Sequence, residues 1–362
     1  GINDLGHVGT WPNGRTGMSM STTSCNLGDV NVPWLAPMNE NHPGIFMQLY
    51  RELDGRFEQV GISWVKHGFF ALSNSQCIPC QNPSGGSFLG VGCSDTYGNG
   101  NNGDRFWLGP RDEWNAFTST WTCLGSYFDG TPVDCNRSEN GSGNGPVDHR
   151  LEAEDSDLGN AGATYYYEAN YLVLGEMNKE NNIGSRECTM SWNGSSWNFS
   201  TPGTGNALVH GPAVRRWGSF TSEGGPKPLD GNYVLSSEVT DLGGGLWRYE
   251  YALFNWDNEA YADSFSIPFR GLSIDHYFHD IDTSAANDWT VSTADNRITW
   301  TFPDVFESGH KVAGPLGINY LYNFGFTTNV PRRIASTTRP SVWTRRTSPA
   351  SSSGSAPRRR LA

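Results

Sequence analysis

The segment from His42 to Leu72 constrains the fold more than any other part of the chain. It reads HPGIFMQLYRELDGRFEQVGISWVKHGFFAL, two runs of alternating side chains around Asp54-Gly55. An Asp-Gly pair between such runs is a strong hairpin signal, because both central residues of a type I′ turn need a positive φ angle. The sequence therefore predicts a β-hairpin around which the rest of the chain is organised.

Alternating aromatic and β-branched segments recur along the chain and predict an all-β protein. Examples are Thr164–Leu174, Leu246–Trp256 and Ile318–Phe326. Glycine is the commonest residue, with 44 of 362 positions, which suits many tight turns. No long segment places apolar residues at helical spacing. In the second half, strands with one apolar face predict a β-sandwich.

We expect three regions along the chain. Residues 1–160 are predicted to form a cysteine-containing, loop-rich β domain built on the 42–72 hairpin. Residues 161–335 are predicted to form a β-sandwich region. Residues 336–362 are rich in Arg, Ser and Pro and bury too little apolar area to become ordered, so we expect a flexible basic tail there.

The charge distribution limits the partners of the protein. The formal net charge is −12, although residues 331–362 hold eight of the 25 basic residues and none of the acidic ones. A body this acidic does not attract nucleic acid or an anionic membrane surface. No apolar run is long enough to cross a bilayer, so no membrane span is expected.

The seven cysteines favour an oxidising environment, extracellular or at the cell surface. Six of them are predicted to form disulfides: Cys25, Cys77, Cys80, Cys93, Cys123 and Cys135. Cys123 and Cys135 flank a short turn and form a natural local pair. The first four could instead hold Zn²⁺ as thiolates, and their connectivity cannot be read from sequence. Cys188 is left over, as a buried thiol or an intermolecular bridge.

Two acidic loops are candidate calcium sites, so calcium is a possible cofactor. The first loop contains Asp95 and Asp104, and the second contains Asp155 and Asp157. Their carboxylates are the hard oxygen ligands that Ca²⁺ prefers. Ordinary turns stabilised by Asp and Asn side chains explain the same composition.

Three tryptophans are candidate carbohydrate-binding residues. Trp107, Trp114 and Trp121 recur at a spacing of seven in a loop-rich segment. Exposed indoles on loops would suit stacking on a polysaccharide. Packing beneath the long loops is the alternative.

The sequence contains none of the familiar catalytic signatures. If the chain is an enzyme, His67 at the end of the hairpin and a carboxylate such as Glu58 are the candidate acid–base residues. A hydrogen-bonded structural histidine is the alternative.

Several strings that together cover most of residues 20–330 carry a resemblance to a known family. They are TTSCNLG (22–28), the hairpin segment 42–69, GVGCSD (90–95), LGPRDEWN (108–115), GLWRYEYALFNW (245–256), FHDID (278–282), ITWTF (298–302) and LGINYLYNFGFTTNVP (316–331). The chain resembles an uncharacterised family of secreted bacterial, planctomycete-type proteins, many of which close with a β-sandwich. The resemblance implies export and a β fold, and it supplies no catalytic residue.

The sequence as a whole favours an exported, non-enzymatic structural protein of the surface or extracellular matrix that associates with itself. A carbohydrate-binding protein and a secreted hydrolase or metalloenzyme are the alternatives. The expected partners are further copies of the chain or an extracellular polysaccharide.

Overall fold

A computed structural model gives the fold of the chain. It describes residues 2–11, 14–35, 38–68, 70–139, 141, 143–200, 207–225, 231–306, 314–330 and 341–345. The protein is 45% strand and 7% helix, so the all-β prediction is confirmed. It divides into two compact units, the first formed by Gly1–Tyr50 with Val60–Ala213 and the second by Arg51–Gln59 with Val214–Ala362.

The first unit contains the strands up to β14, although β4 and β5 continue into the second unit. These strands are β1 (Ile2–Trp11), β2 (Arg15–Cys25), β3 (Val32–Pro33), β4 (Gly44–Leu53), β5 (Arg56–Ile62), β6 (Val65–His67), β7 (Phe88–Leu89), β8 (Ser94–Tyr97), β9 (Leu108–Gly109), β10 (Leu151–Glu154), β11 (Thr164–Leu172), β12 (Ile183–Trp192), β13 (Trp197–Ser200) and β14 (Val209–His210). One short helix, α1 (Asn99–Asn102), and 3-10 turns at Arg105–Trp107, Arg111–Glu113, Asp155–Asp157, Lys179–Asn181 and Ala213–Arg216 interrupt the loops.

The predicted hairpin lies in the middle of the main sheet of the first unit. The strands of this sheet run in the order β1-β2-β10-β5-β4-β11-β12-β13, with β6, β8, β9 and β14 attached at the sides. Asp54 and Gly55, which join β4 to β5, have φ angles of 52° and 76°. These are the positive angles that a type I′ turn requires, so the hairpin prediction is confirmed.

The central strand β4 is covered on both faces. Ile45, Met47 and Leu49 are fully buried and belong to the hydrophobic core of the first unit. On the alternate face, Phe46 and Tyr50 are also buried. A strand buried on both faces is typical of the centre of a sheet.

Three disulfides crosslink the loops of the first unit. They join Cys25 to Cys77, Cys80 to Cys93 and Cys123 to Cys135. All six predicted cysteines are therefore oxidised, and the local Cys123–Cys135 pair is confirmed. Cys188 remains a buried thiol, and burial raises its pKa to about 12, which keeps it protonated and unreactive at neutral pH.

The disulfides should differ in their effect on stability. Replacing Cys25 and Cys77 by serine frees a loop of 52 residues, whereas replacing Cys123 and Cys135 frees one of 12. Because loop closure restricts the unfolded chain, we expect losses of about 4 kcal/mol and about 3 kcal/mol respectively. Urea unfolding of the two double variants measures the difference, and an equal or reversed order would contradict the expectation.

The second unit contains a β-sandwich, in addition to the hairpin tip at 51–59. Its strands are β15 (Phe220–Gly224), β16 (Tyr233–Gly243), β17 (Leu246–Asn255), β18 (Tyr261–Pro268), β19 (Ser273–His279), β20 (Thr290–Ala294), β21 (Arg297–Thr301), β22 (Leu321–Thr328) and β23 (Ser341–Arg345). One sheet has the order β15-β16-β17-β22-β19 and the other the order β20-β21-β18-β23.

Aromatic side chains from both sheets fill the sandwich. The ring of Phe265 on β18 lies 4.6 Å from that of Phe324 on β22 and 5.7 Å from that of Tyr251 on β17. The ring of Trp300 on β21 lies 5.5 Å from that of Phe324. The alternation read from the sequence therefore places one face of β17 and β22 against the second sheet.

The units differ from the expected regions in three places. β11 and β12 belong to the first unit, because β11 pairs with β4 in its main sheet. The hairpin tip at 51–59 belongs to the second unit. Residues 341–345, SVWTR, form β23 within the segment for which a flexible tail was expected, because Val342 and Trp343 suit a strand that pairs with β18. The rest of 336–362 lies outside the described residues.

Among the described residues, no helix is both long and apolar enough to cross a membrane.

Candidate functional site

A buried histidine pair lies at the end of the hairpin strands in the first unit. The Nε2 atom of His42 and the Nδ1 atom of His67 are 2.9 Å apart. The indole of Trp114 donates to Nε2 of His67 at 3.3 Å. Since an indole nitrogen can only donate, His67 must accept at Nε2 and donate from Nδ1 to His42. The chain of hydrogen bonds therefore fixes the neutral form of both rings.

The surroundings keep this histidine pair uncharged. Both rings are buried, and burial lowers the pKa of His42 to about 3 and the pKa of His67 well below its usual value. The rings of Trp121 and Phe128 lie 4.7 Å and 4.9 Å from His67. A histidine so enclosed serves as a packing and hydrogen-bonding group.

The histidine pair should make the fold sensitive to acid. Each histidine binds a proton near pH 6.5 in the unfolded chain but only at much lower pH in the folded one, so stability falls as the pH falls from about 6.5 towards 3. The expected slope is about 1.4 kcal/mol per pH unit for each histidine. Urea unfolding between pH 7.5 and 4 measures this slope.

A matched pair of variants tests the origin of the slope. His42→Gln should reduce the slope by about 1.4 kcal/mol per pH unit, which is the contribution of one proton. His210→Gln replaces an exposed histidine outside the buried pair and is the matched control. An unchanged slope in the His42 variant would show that the acid sensitivity lies elsewhere.

Two of the three loop tryptophans are buried, and the third is half-buried. Trp114 and Trp121 are only 2% and 5% exposed and pack around the histidine pair. Trp107 is half-buried, and the guanidinium of Arg137 lies 4.3 Å from the centre of its ring. Packing beneath the loops, the alternative interpretation, therefore describes Trp114 and Trp121, whereas carbohydrate binding by Trp107 stays a prediction.

A buried lysine lies next to the first pair of candidate calcium ligands. Lys66 is fully buried, and its ammonium donates to the carbonyl of His67 at 3.0 Å. Burial lowers its pKa strongly, while the charges of Asp104 and Asp95 act to raise it. Asp95 itself accepts from the indole of Trp34 and the amide of Leu72, both at 2.9 Å. Asp95 therefore accepts hydrogen bonds from protein donors, and the charges of both aspartates act on Lys66.

The other candidate calcium ligands are engaged in turns and packing. Asp155 accepts from the hydroxyl of Thr16 at 2.5 Å and from the indole of Trp197 at 3.0 Å. The backbone carbonyl of Asp157 accepts from Tyr165 at 2.7 Å. Within the described ranges, no three His, Cys, Asp or Glu side chains form a group that could hold a metal ion.

The second unit holds a cluster of charged side chains on the face of β17, β22 and β19 opposite the aromatic core. Glu58, from the hairpin tip, accepts from the hydroxyl of Tyr277 and from Arg51 at 2.7 Å. Arg56 donates to Glu250 at 3.1 Å, and its guanidinium lies 3.7 Å from the centre of the Tyr277 ring. Glu58 and His67, the candidate acid–base residues, belong to different units and have separate partners.

The pKa values of the two glutamates in this cluster are shifted in opposite directions. Burial acts to raise the pKa of Glu58, but His279, Tyr277 and Arg51 outweigh it, so the pKa lies below its usual value. For Glu250, burial prevails over Arg56 and raises the pKa. Opposite shifts are typical of acid–base pairs.

Packing around Glu250 leaves little space for a substrate. β17 and β22 pair so that Glu250 lies opposite Gly325. A Cβ atom at position 325 would come within 2.5 Å of the carboxylate. The glycine is therefore what allows the carboxylate to lie on the sheet, and the cluster functions as a polar contact between the hairpin tip and β17, β22 and β19.

Neutralising Glu58 should weaken the second unit. Because the fold favours the charged form of Glu58, Glu58→Gln should cost about 1–2 kcal/mol at pH 7, and the difference from the unmodified protein should shrink as acid protonates the native carboxylate. Urea unfolding at pH 7 and pH 3.5 measures both values.

Glu223→Gln is the matched control for this experiment. Glu223 is ion-paired with Arg215 on the surface, where such a pair contributes less than about 1 kcal/mol. Equal losses in the two variants would contradict a structural role for the Glu58 cluster.

Comparison with family models, curated proteins and solved structures gives no match to this chain. The family resemblance of its strings stays a prediction. The chemistry of the sites is therefore argued from the residues of this chain alone.

The exposed Trp192 at the turn between β12 and β13 was not identified from the sequence. Trp192 and Trp197 bracket the Asn193-Gly194 turn between β12 and β13, and Trp192 is 45% exposed. Tryptophan on either side of a hairpin turn, in a run without charged residues, is the signal that could have identified it.

Proposed function

We propose that the protein is an exported, non-enzymatic structural protein of the cell surface or extracellular matrix that assembles with copies of itself. The observation that carries this proposal is the open edge at β20. The three disulfides support export, since such bonds persist in oxidising environments. The structural contacts of His67, Glu58 and Glu250 support a role other than catalysis.

β20 is a sheet edge without the features that usually prevent association. It is the terminal strand of its sheet and, in the described part of the chain, pairs with β21 alone. Its sequence, TVSTA, has no charge and no proline, and all five residues are exposed. Exposed uncharged edges of this kind readily accept another strand.

The edges of the other sheet in the sandwich are protected. β19 has an irregular register between Ile274 and Tyr277, where Asp275 adopts a positive φ of 51°. β15 carries Glu223, which is paired with Arg215. Bulges and charges are the usual means of blocking edge pairing, and their absence from β20 distinguishes it from β15 and β19.

The backbone of β20 offers hydrogen-bonding groups to a partner. Asp295 and Asn296 join β20 to β21 with positive φ angles of 53° and 56°, as in a type I′ turn. In such a hairpin Ala294 and Arg297 exchange hydrogen bonds, and bonding then alternates along the strand. Val291 and Thr293 therefore direct their N–H and C=O groups away from β21.

A second copy is the partner that fits this edge. Two β20 strands related by a two-fold axis would pair antiparallel, as in a symmetric dimer. The uncharged strand places no like charges opposite each other within the paired segment. Such a pair would extend the sheet β20-β21-β18-β23 across two molecules.

Thr293→Pro should dissociate the assembly without unfolding the protein. Proline removes an outward N–H group and no bond to β21. Light scattering, with electron microscopy of the same sample, should find the unmodified protein as a dimer or larger assembly and the variant as a monomer. If the unmodified protein is monomeric at all concentrations, the proposal is refuted.

Two lysine variants separate edge pairing from a general charge effect. Ser292→Lys places a charge on the edge strand and should also give monomers. Thr240→Lys adds the same charge at an exposed position of β16, away from β20, and should leave the assembly intact. Dissociation in both variants would argue against pairing through β20.

A further inference from the structure

The hairpin formed by β12 and β13 carries aromatic residues in a segment without charge. Residues 188–200, CTMSWNGSSWNFS, contain no Asp, Glu, Lys or Arg, although the chain has a net charge of −12. The segment belongs to the first unit and lies far along the sequence from β20. A ligand-binding role of this segment would therefore be independent of the assembly through β20.

The two faces of this hairpin have different roles. Pairing of Met190 with Phe199 and of Trp192 with Trp197 places these four side chains on one face. Met190, Trp197 and Phe199 pack against the hydrophobic core of the first unit. Trp192 lies next to the turn and keeps 45% of its surface exposed.

Trp197 holds Trp192 in place. Its indole donates to Asp155 at 3.0 Å, and its ring packs so closely on Gly159 that a Cβ atom there would lie 2.8 Å away. The ring of Trp192 lies 5.6 Å from that of Trp197 at an angle of 57°. The exposed indole is thus supported by a ring that is itself fixed, which reduces the entropy lost on binding.

Uncharged polar side chains lie at the turn next to the exposed indole and on the opposite face of the hairpin. On the face of the hairpin opposite the tryptophans, the exposed side chains are all hydroxyls or an amide: Thr189, Ser191, Asn198 and Ser200. At the turn, Ser195 is exposed as well. These groups donate and accept hydrogen bonds but supply no positive charge.

We propose that the tip of the β12–β13 hairpin binds a neutral polysaccharide, with Trp192 stacked on the apolar face of a sugar ring. An indole provides a flat apolar surface for the C–H groups of a pyranose, and the exposed side chains of Asn193 and Ser195 at the turn can hydrogen-bond to its hydroxyls. An anionic polysaccharide is disfavoured, because residues 188–200 contain no cation and Asp155 lies beside Trp197.

Binding to insoluble and soluble polysaccharides tests this site. The probes are the neutral polymers cellulose, chitin and xylan and the anionic polymer alginate. The protein should bind at least one neutral polymer and not alginate. Trp192→Ala should weaken that binding about fivefold to tenfold, since the stacked ring is lost. Thermal unfolding should be little changed, because nearly half of the side chain is exposed.

Two controls make the result specific. Trp107→Ala removes a tryptophan covered by Arg137 and should leave binding unchanged. Thr293→Pro should also bind as a monomer, so that loss of assembly and loss of sugar binding are distinguished. Binding to none of the neutral polymers, or equal binding by Trp192→Ala and the unmodified protein, would overturn the proposal.

Discussion

The hairpin of β4 and β5 is the constraint on which the rest of the structure depends. Its strands form the middle of the main sheet in the first unit, whereas its tip at 51–59 belongs to the second unit. Within that unit, the side chain of Gln59 donates to the carbonyl of Asn319 and accepts from the amide of Leu321, at 3.0 Å and 2.9 Å. One hairpin therefore supplies a central strand pair and a buried set of hydrogen bonds. Loss of one of these hydrogen bonds would leave a buried polar group unsatisfied and would lower the stability of the fold.

Several interior polar groups in each unit have specific hydrogen-bond partners. The neutral His42–His67 pair is enclosed by aromatic rings, and the charged Glu58 is held by Tyr277 and Arg51. Buried groups of this kind contribute to a unique fold only when their hydrogen bonds are satisfied. In a sequence such side chains are catalytic candidates, and here their hydrogen bonds go to neighbouring side chains within the same unit.

Local patterns in the sequence predicted much of the fold, and contacts between distant residues could not be predicted. The alternation in LWRYEYALFNW placed Tyr251 in the aromatic core of the sandwich and Glu250 on the opposite face. The Cys123–Cys135 disulfide followed from proximity along the chain, whereas the bond from Tyr277 to Glu58 joins residues 219 positions apart. The burial of Trp114 could not be predicted either, because a loop has no regular periodicity that indicates which of its side chains face the core.

Pairing through β20 would give the protein a simple route to assembly, since a sheet edge needs only another strand with compatible backbone groups. The most direct measurement is amide hydrogen exchange along β20 in dilute and concentrated samples. The account predicts that the amides of Val291 and Thr293 become protected as assembly proceeds, while that of Ser292, which bonds to β21, is protected throughout. Rapid exchange at Val291 and Thr293 in the assembled protein would contradict it.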